Sequence, residues 1–219
     1  MDICFHVKEA KILRFKEVGL WTYDEKRYFT NKSQKYLMYD NPKDFGHRIT
    51  PNKEKSALIT AMTLGKILNR IVILPKFHCY PCDELPVCTR ITNQCAFHAL
   101  FHVKSFDSHF AGLYREHGFL KHPKVPMHVK KAVSSKIYMA KKGNKKPIAN
   151  GDTIKIETKK NRKIATQDII TWFGQGPLSE LSVLNFHSLY ISLHFNDRTW
   201  LNLFDVSLKF SSYWQEQMA

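Results

Sequence analysis

Tyr36-Leu37-Met38-Tyr39-Asp40 and, further on, Ala57-Leu58-Ile59-Thr60-Ala61-Met62-Thr63-Leu64-Gly65-Lys66-Ile67-Leu68-Asn69-Arg70-Ile71-Val72-Ile73-Leu74-Pro75 are the stretches that decide the fold. Lys35 to Asp40 alternates in character and ends in Asn41-Pro42, the pattern of a short strand entering a turn. Thr50 before Pro51 reads as an N-cap followed by proline at the first helical position, where the missing N–H costs nothing. Leu58, Ala61, Met62, Gly65 and Leu68 then recur at helical spacing, with Lys53, Lys55 and Lys66 off that stripe, and Asn69-Arg70 stops the helix. Ile71 to Leu74 is a continuous aliphatic run, expected as a strand buried on both faces. Two strands joined through such a helix predict a right-handed crossover and a parallel sheet, hence an α/β, Rossmann-like domain.

Working outward, residues 1–35 read as an N-terminal extension and residues 36–219 as the domain. The Cys-, His- and Pro-rich segment 76–106 is expected to be irregular until about Cys95. Helices are expected over Asp107 to His117, Pro126 to Ser134, Thr166 to Phe173 and Thr199 to Gln217. Gly151 to Thr158 alternates Ile with charged residues and is expected as an edge or surface strand, after a loop from Lys141. Ser182 to Tyr190 is a further strand.

The chain of 219 residues is 43% hydrophobic, enough to bury a core. Its net charge of +15 is concentrated: residues 121–163 hold fourteen Lys and Arg against only Asp152 and Glu157. That distribution reads as a solvated basic insertion able to steer anionic donors or lipids, and a nucleic-acid partner is not expected. No run approaches the roughly eighteen apolar residues of a membrane span. Met1 to Leu20 interleaves Lys and Glu with apolar residues, unlike a signal peptide, so the chain is expected to be cytoplasmic or a piece of a longer protein.

In α/β folds ligands bind beyond the carboxyl ends of the strands, where a helix N-terminus presents free N–H groups. The loop Asp44-Phe45-Gly46-His47-Arg48-Ile49-Thr50-Pro51-Asn52 falls there. It offers Gly46 for close backbone approach, Arg48 for an anionic oxygen and Asn52 as an amide hydrogen-bonder. Asp44 and Glu54 are the nearest carboxylates for a catalytic base. A different reading starts from Cys79-x2-Cys82 followed by His98-x3-His102, which fits the loose spacing of a structural zinc site in a nucleic-acid-interacting protein, with both histidines one turn apart on a helix. Cys79, Cys82, Cys88 and Cys95 crowd together, so a local disulfide staple is the other use of the same thiols.

The run Ala57 to Pro75 resembles the helix and strand of protein O-fucosyltransferase-like glycosyltransferases and their plant cell-wall relatives. There, A-x-x-L-x-x-x-L-N-R-T-L-x-L-P-P follows a Gly-rich G-R-x-x-N-Q loop. The resemblance implies a GT-B-like architecture of which this chain is the N-terminal half. It further implies a nucleotide-diphosphate sugar as donor, a glycan or protein hydroxyl as acceptor, no essential metal or other cofactor, and residence in the Golgi or endoplasmic reticulum lumen, where the cysteines would form disulfides. By the same resemblance Gly46, Arg48 and Asn52 contact substrate. The chain departs from the pattern in having Thr50-Pro51 before Asn52 and Lys53 after it. Its late strands also lack the family's His-x-Arg motif, since His187-Ser188-Leu189 and His194-Phe195-Asn196 carry no arginine, so the C-terminal, donor-binding half is expected to be absent.

Overall fold

A computed structural model describes residues 8–41, 51–78, 95–134, 136–141, 153–158, 166–187 and 189. The elements in chain order are α1 (Lys8–Glu17), β1 (Tyr36–Tyr39), α2 (Pro51–Ile67), β2 (Ile71–Ile73), α3 (Phe97–Leu100), α4 (Val103–Phe110), β3 (Tyr114–Arg115), α5 (Met127–Lys131), β4 (Lys136–Lys141), β5 (Thr153–Thr158), α6 (Thr166–Phe173), α7 (Pro177–Glu180) and β6 (Val183–Phe186). The strands form one sheet in the order β3-β2-β1-β6-β4-β5, and every pairing is parallel. The α/β, Rossmann-like class expected from β1-α2-β2 is the observed one.

Alternation along the strands sorts side chains to two covered faces. Leu37, Tyr39, Val72, Leu74, Tyr114, Leu184 and Phe186 join a core with Ala57, Leu58, Ala61, Met62 and Leu64 of α2 and Ile169 and Phe173 of α6. Tyr36, Ile73 and Val183 point the other way, into a second core with Phe29, Phe119, Val125 and Val129. Phe29 is 1% exposed, so residues before β1, read from sequence as an extension, line one layer of the domain. The basic stretch is likewise structural in part. It supplies α5, whose Val129 is fully buried, and the strands β4 and β5, of which β5 is the edge strand expected from its Ile/charge alternation.

The end of α2 explains its signature residues. Asn69 lies in the left-handed region at φ 51°. Asn69 N donates to Lys66 O at 3.2 Å and Arg70 N to Gly65 O at 2.7 Å, the two bonds of a Schellman cap. Arg70 then turns inward, 5% exposed. Its Nη1 donates to Tyr36 O (3.3 Å) and Leu181 O (2.7 Å), and its Nη2 to Leu178 O (3.2 Å) and Ser179 O (3.0 Å). One guanidinium thus ties α7 and the lead-in to β6 onto the start of β1. Burial pulls its pKa down to about 10, opposed by the Glu180 carboxylate. Gly65 permits the close approach of α2 to β2: a Cβ there would stand 2.7 Å from Val72 Cγ2 and 2.8 Å from Arg70 O.

One expected helix is displaced. Instead of Asp107 to His117, α4 spans Val103–Phe110, because Val103, Phe106 and Phe110 form its buried stripe and His102 caps it by accepting from Ser105 N. Gly112, at φ 83°, turns the chain. Tyr114 and Arg115 leave helix altogether to pair with Val72 and Ile73. Helix α6 falls on Thr166–Phe173 as expected, and β6 occupies the first part of its expected span. Of the expected loop Lys141 to Gly151, Lys141 instead ends β4, and the rest, like the expected helix Thr199 to Gln217, lies outside the described residues.

Candidate functional site

Strands β1, β2 and β3 step outward on one side, while β6, β4 and β5 lie on the other, so the strand order reverses between β1 and β6. In open α/β sheets this switch point, at the carboxyl ends of the strands, is where ligands bind. Strand β4 is offset there. Only Lys136 and Ile137 pair with β6, opposite Asn185 and Phe186, after which β4 continues alongside β5 past the last residue of β6. It forms a wall at one side of the edge.

Four side chains meet where β1, β4 and β6 converge. Lys136 Nζ donates to Asp40 Oδ2, both groups being partly exposed. His187, immediately after β6, is exposed and lies 4.4 Å from the Tyr138 ring, centroid to centroid. Desolvation and the neighbouring Lys136 ammonium hold its imidazole below the usual range, with Asp40 pulling the other way.

The second group joins β1, α2 and β2. Glu54 occupies the first turn of α2 on the same face as Leu58 and Ala61, and its side chain is fully buried. Its Oε1 accepts from Asn41 Nδ2 at 3.0 Å and from His78 N at 2.9 Å, and lies 2.8 Å from His78 Nδ1. Asn41 follows β1 and also donates to Lys76 O. The His78 ring is 27% exposed against 0% for Glu54, so the carboxylate is enclosed and the imidazole faces outward. Phe77 pairs with Cys95 in an antiparallel bridge, which fixes the chain beside His78, and Cys95 is disulfide-bonded.

Of the residues expected at the site, Glu54 lies at the carboxyl edge as a buried hydrogen-bond acceptor, and Asn52 is exposed in the first turn of the same helix. Asp44, Gly46 and Arg48 lie outside the described residues, as do Cys79 and Cys82. The expectation that His98 and His102 share one helix is corrected: the chain breaks out of helix at Phe101, φ −118° and ψ 149°, between α3 and α4. Each histidine has a separate structural partner. His98 Nδ1 lies 2.8 Å from Glu17 Oε2, and His102 caps α4. Among the described residues no group of three His, Cys, Asp or Glu is placed to hold a metal ion, and no helix is long and apolar enough to cross a membrane.

Sequence reading did not single out His78, Asn41, Asp40 or Lys136. Glu54 carried a usable signal, a carboxylate four residues before Leu58 on an otherwise apolar stripe. His78 carried none, because it sits in an aperiodic segment.

No family model and no curated protein matches this chain. A crystal structure of POFUT1 in complex with GDP is similar to it with a TM-score of 0.48 and 18% sequence identity. The match covers 84% of this chain and 52% of that one, so the chain spans about half the length of that structure.

Proposed function

We propose that this domain belongs to a glycosyltransferase of GT-B-like architecture that transfers a sugar from a nucleotide-diphosphate donor to an acceptor hydroxyl, and that the reacting groups meet at the carboxyl edge of β1, β2 and β6. The observation that carries the reading is the convergence there of Asp40, Asn41, Glu54, His78, Lys136 and His187 at the switch point of a parallel sheet. The resemblance of Ala57 to Pro75 to O-fucosyltransferase-like enzymes supplies the reaction class. Gly46, Arg48 and Asn52 are assigned to substrate contact, with arginine and backbone N–H groups meeting the charge that develops on the diphosphate. The disulfide at Cys95 suits an oxidising compartment and, with the resemblance, supports the proposal of a lumenal location.

The test, on the longest natural protein that carries this domain, is release of nucleoside diphosphate from GDP-fucose and from a panel of other nucleotide sugars, with glycans and folded protein domains as acceptors. Acceptor-dependent release is the expected result. Absence of turnover with every donor and acceptor overturns the reading.

A further inference from the structure

Resting on that reaction class, we propose that His78 is its catalytic base, with Glu54 as the positioning residue that fixes the imidazole. Neither role follows from the Ala57 to Pro75 resemblance; both come from geometry. Glu54 Oε1 already accepts from Asn41 Nδ2 and His78 N. An oxygen so engaged is the acceptor for the third contact too, so His78 Nδ1, 2.8 Å away, carries the ring proton. With the proton on Nδ1, an uncharged ring presents a bare Nε2. Among the described residues no hydrogen bond engages that atom, and the ring is 27% exposed.

A buried carboxylate on one imidazole nitrogen with the other nitrogen free is the arrangement that selects a tautomer and stabilises the imidazolium formed on proton uptake. The surroundings reinforce the orientation. His78 is held by its own backbone N–H on the same carboxylate, and Asn41 ties that carboxylate to the end of β1. The bridge between Phe77 and Cys95 fixes the residue just before it.

In the proposed step the acceptor hydroxyl gives its proton to His78 Nε2 as its oxygen forms a bond to the anomeric carbon of the sugar. The bond from that carbon to the diphosphate oxygen breaks, and its electron pair leaves with the nucleoside diphosphate. Glu54 remains ionised and faces the resulting imidazolium.

The experiment pairs turnover of the nucleotide sugar with 15N NMR of the histidine rings. His78→Asn keeps an N–H donor at the position of Nδ1 and removes Nε2, so it retains the Glu54 contact and the fold. The expected result is a kcat lowered about 100-fold or more with KM little changed. Wild-type His78 should show the Nδ1–H tautomer, and Glu54→Gln should shift the tautomer population and lower kcat without changing nucleotide-sugar affinity. Turnover in wild type that survives in His78→Asn overturns the base assignment alone, as does an Nε2–H tautomer. Absence of turnover in wild type overturns the glycosyl-transfer reading and this assignment with it.

Discussion

Replacing Arg70 by methionine separates a structural arginine from a ligand-binding one. Methionine matches the stem and removes four hydrogen bonds, leaving the carbonyls of Tyr36, Leu178, Ser179 and Leu181 without the guanidinium. The carbonyls near α7 lie close to solvent and regain water. Tyr36 O lies in the interior, and each orphaned buried acceptor costs about 1–3 kcal/mol. Relief of the desolvation that lowers the Arg70 pKa offsets part of the loss, so the net cost is about 2 kcal/mol. In a domain of this size that corresponds to a fall in Tm of about 4–8 °C. Thermal unfolding followed by circular dichroism, with urea midpoints as a second readout, measures it. With its pKa at about 10 the guanidinium stays charged at neutrality, so the difference between variant and wild type should be the same at pH 7 and pH 8. A variant within about 2 °C of wild type that loses affinity for nucleotide sugar would refute the clamp and make Arg70 a ligand contact.

Three further outcomes follow from named geometry. Gly65→Ala gains about 1 kcal/mol of helix propensity but drives a methyl into Val72 Cγ2 and Arg70 O, and the domain should be destabilised by about 1–3 kcal/mol, read as a lower urea midpoint. Asn69→Ala should cost about 1 kcal/mol, because it places an ordinary Cβ in the left-handed region, whereas Asn69→Gly should hold or raise Tm. Desolvation holds the imidazoles of His117, His122 and His187 below their usual value of 6.5 in the folded protein. The unfolded chain therefore binds more protons just below pH 6.5, and stability should fall as pH is lowered from 7.5 to 5.5. His117→Gln should flatten that fall in chemical denaturation at the two pH values.

The unit β1-α2-β2 was legible because each of its parts is written in local chemistry: β-branched and aliphatic runs, a 3.6-residue stripe and an Asn-Arg stop. The same logic placed α6 and β5. It failed at α4 and β3. The helix is capped by a histidine and begins inside a segment dominated by Cys and His, and a two-residue strand has no period to detect. The role of Arg70 was hidden for a different reason. It was quoted as part of a family signature, but three of its four carbonyl partners are more than a hundred residues away, a proximity that only the folded sheet creates. The site divides in the same way. Glu54 lay within the periodic helix and could be named, whereas His78, Asn41, Asp40 and Lys136 come together through strand order and the offset of β4. The basic stretch read as a solvated insertion because its charge masks Ile137 and Val129, both of which are buried.

The proposed function requires a nucleotide sugar to bind at the carboxyl end of the sheet. A cleft of about 230 Å³ at the opposite end, lined in part by Gln34, Lys66, Gly112 and Leu113, provides the internal control. The decisive measurement is a 1H–15N NMR titration, with GDP-fucose and with GDP, of the longest natural protein that carries this domain. Shifts are predicted for the amides of Asp40, Asn41, Asn52, His78 and His187, with those of Gln34, Lys66, Gly112 and Leu113 unmoved. Shifts confined to the second set, or none at either end at millimolar ligand, would contradict the proposed function.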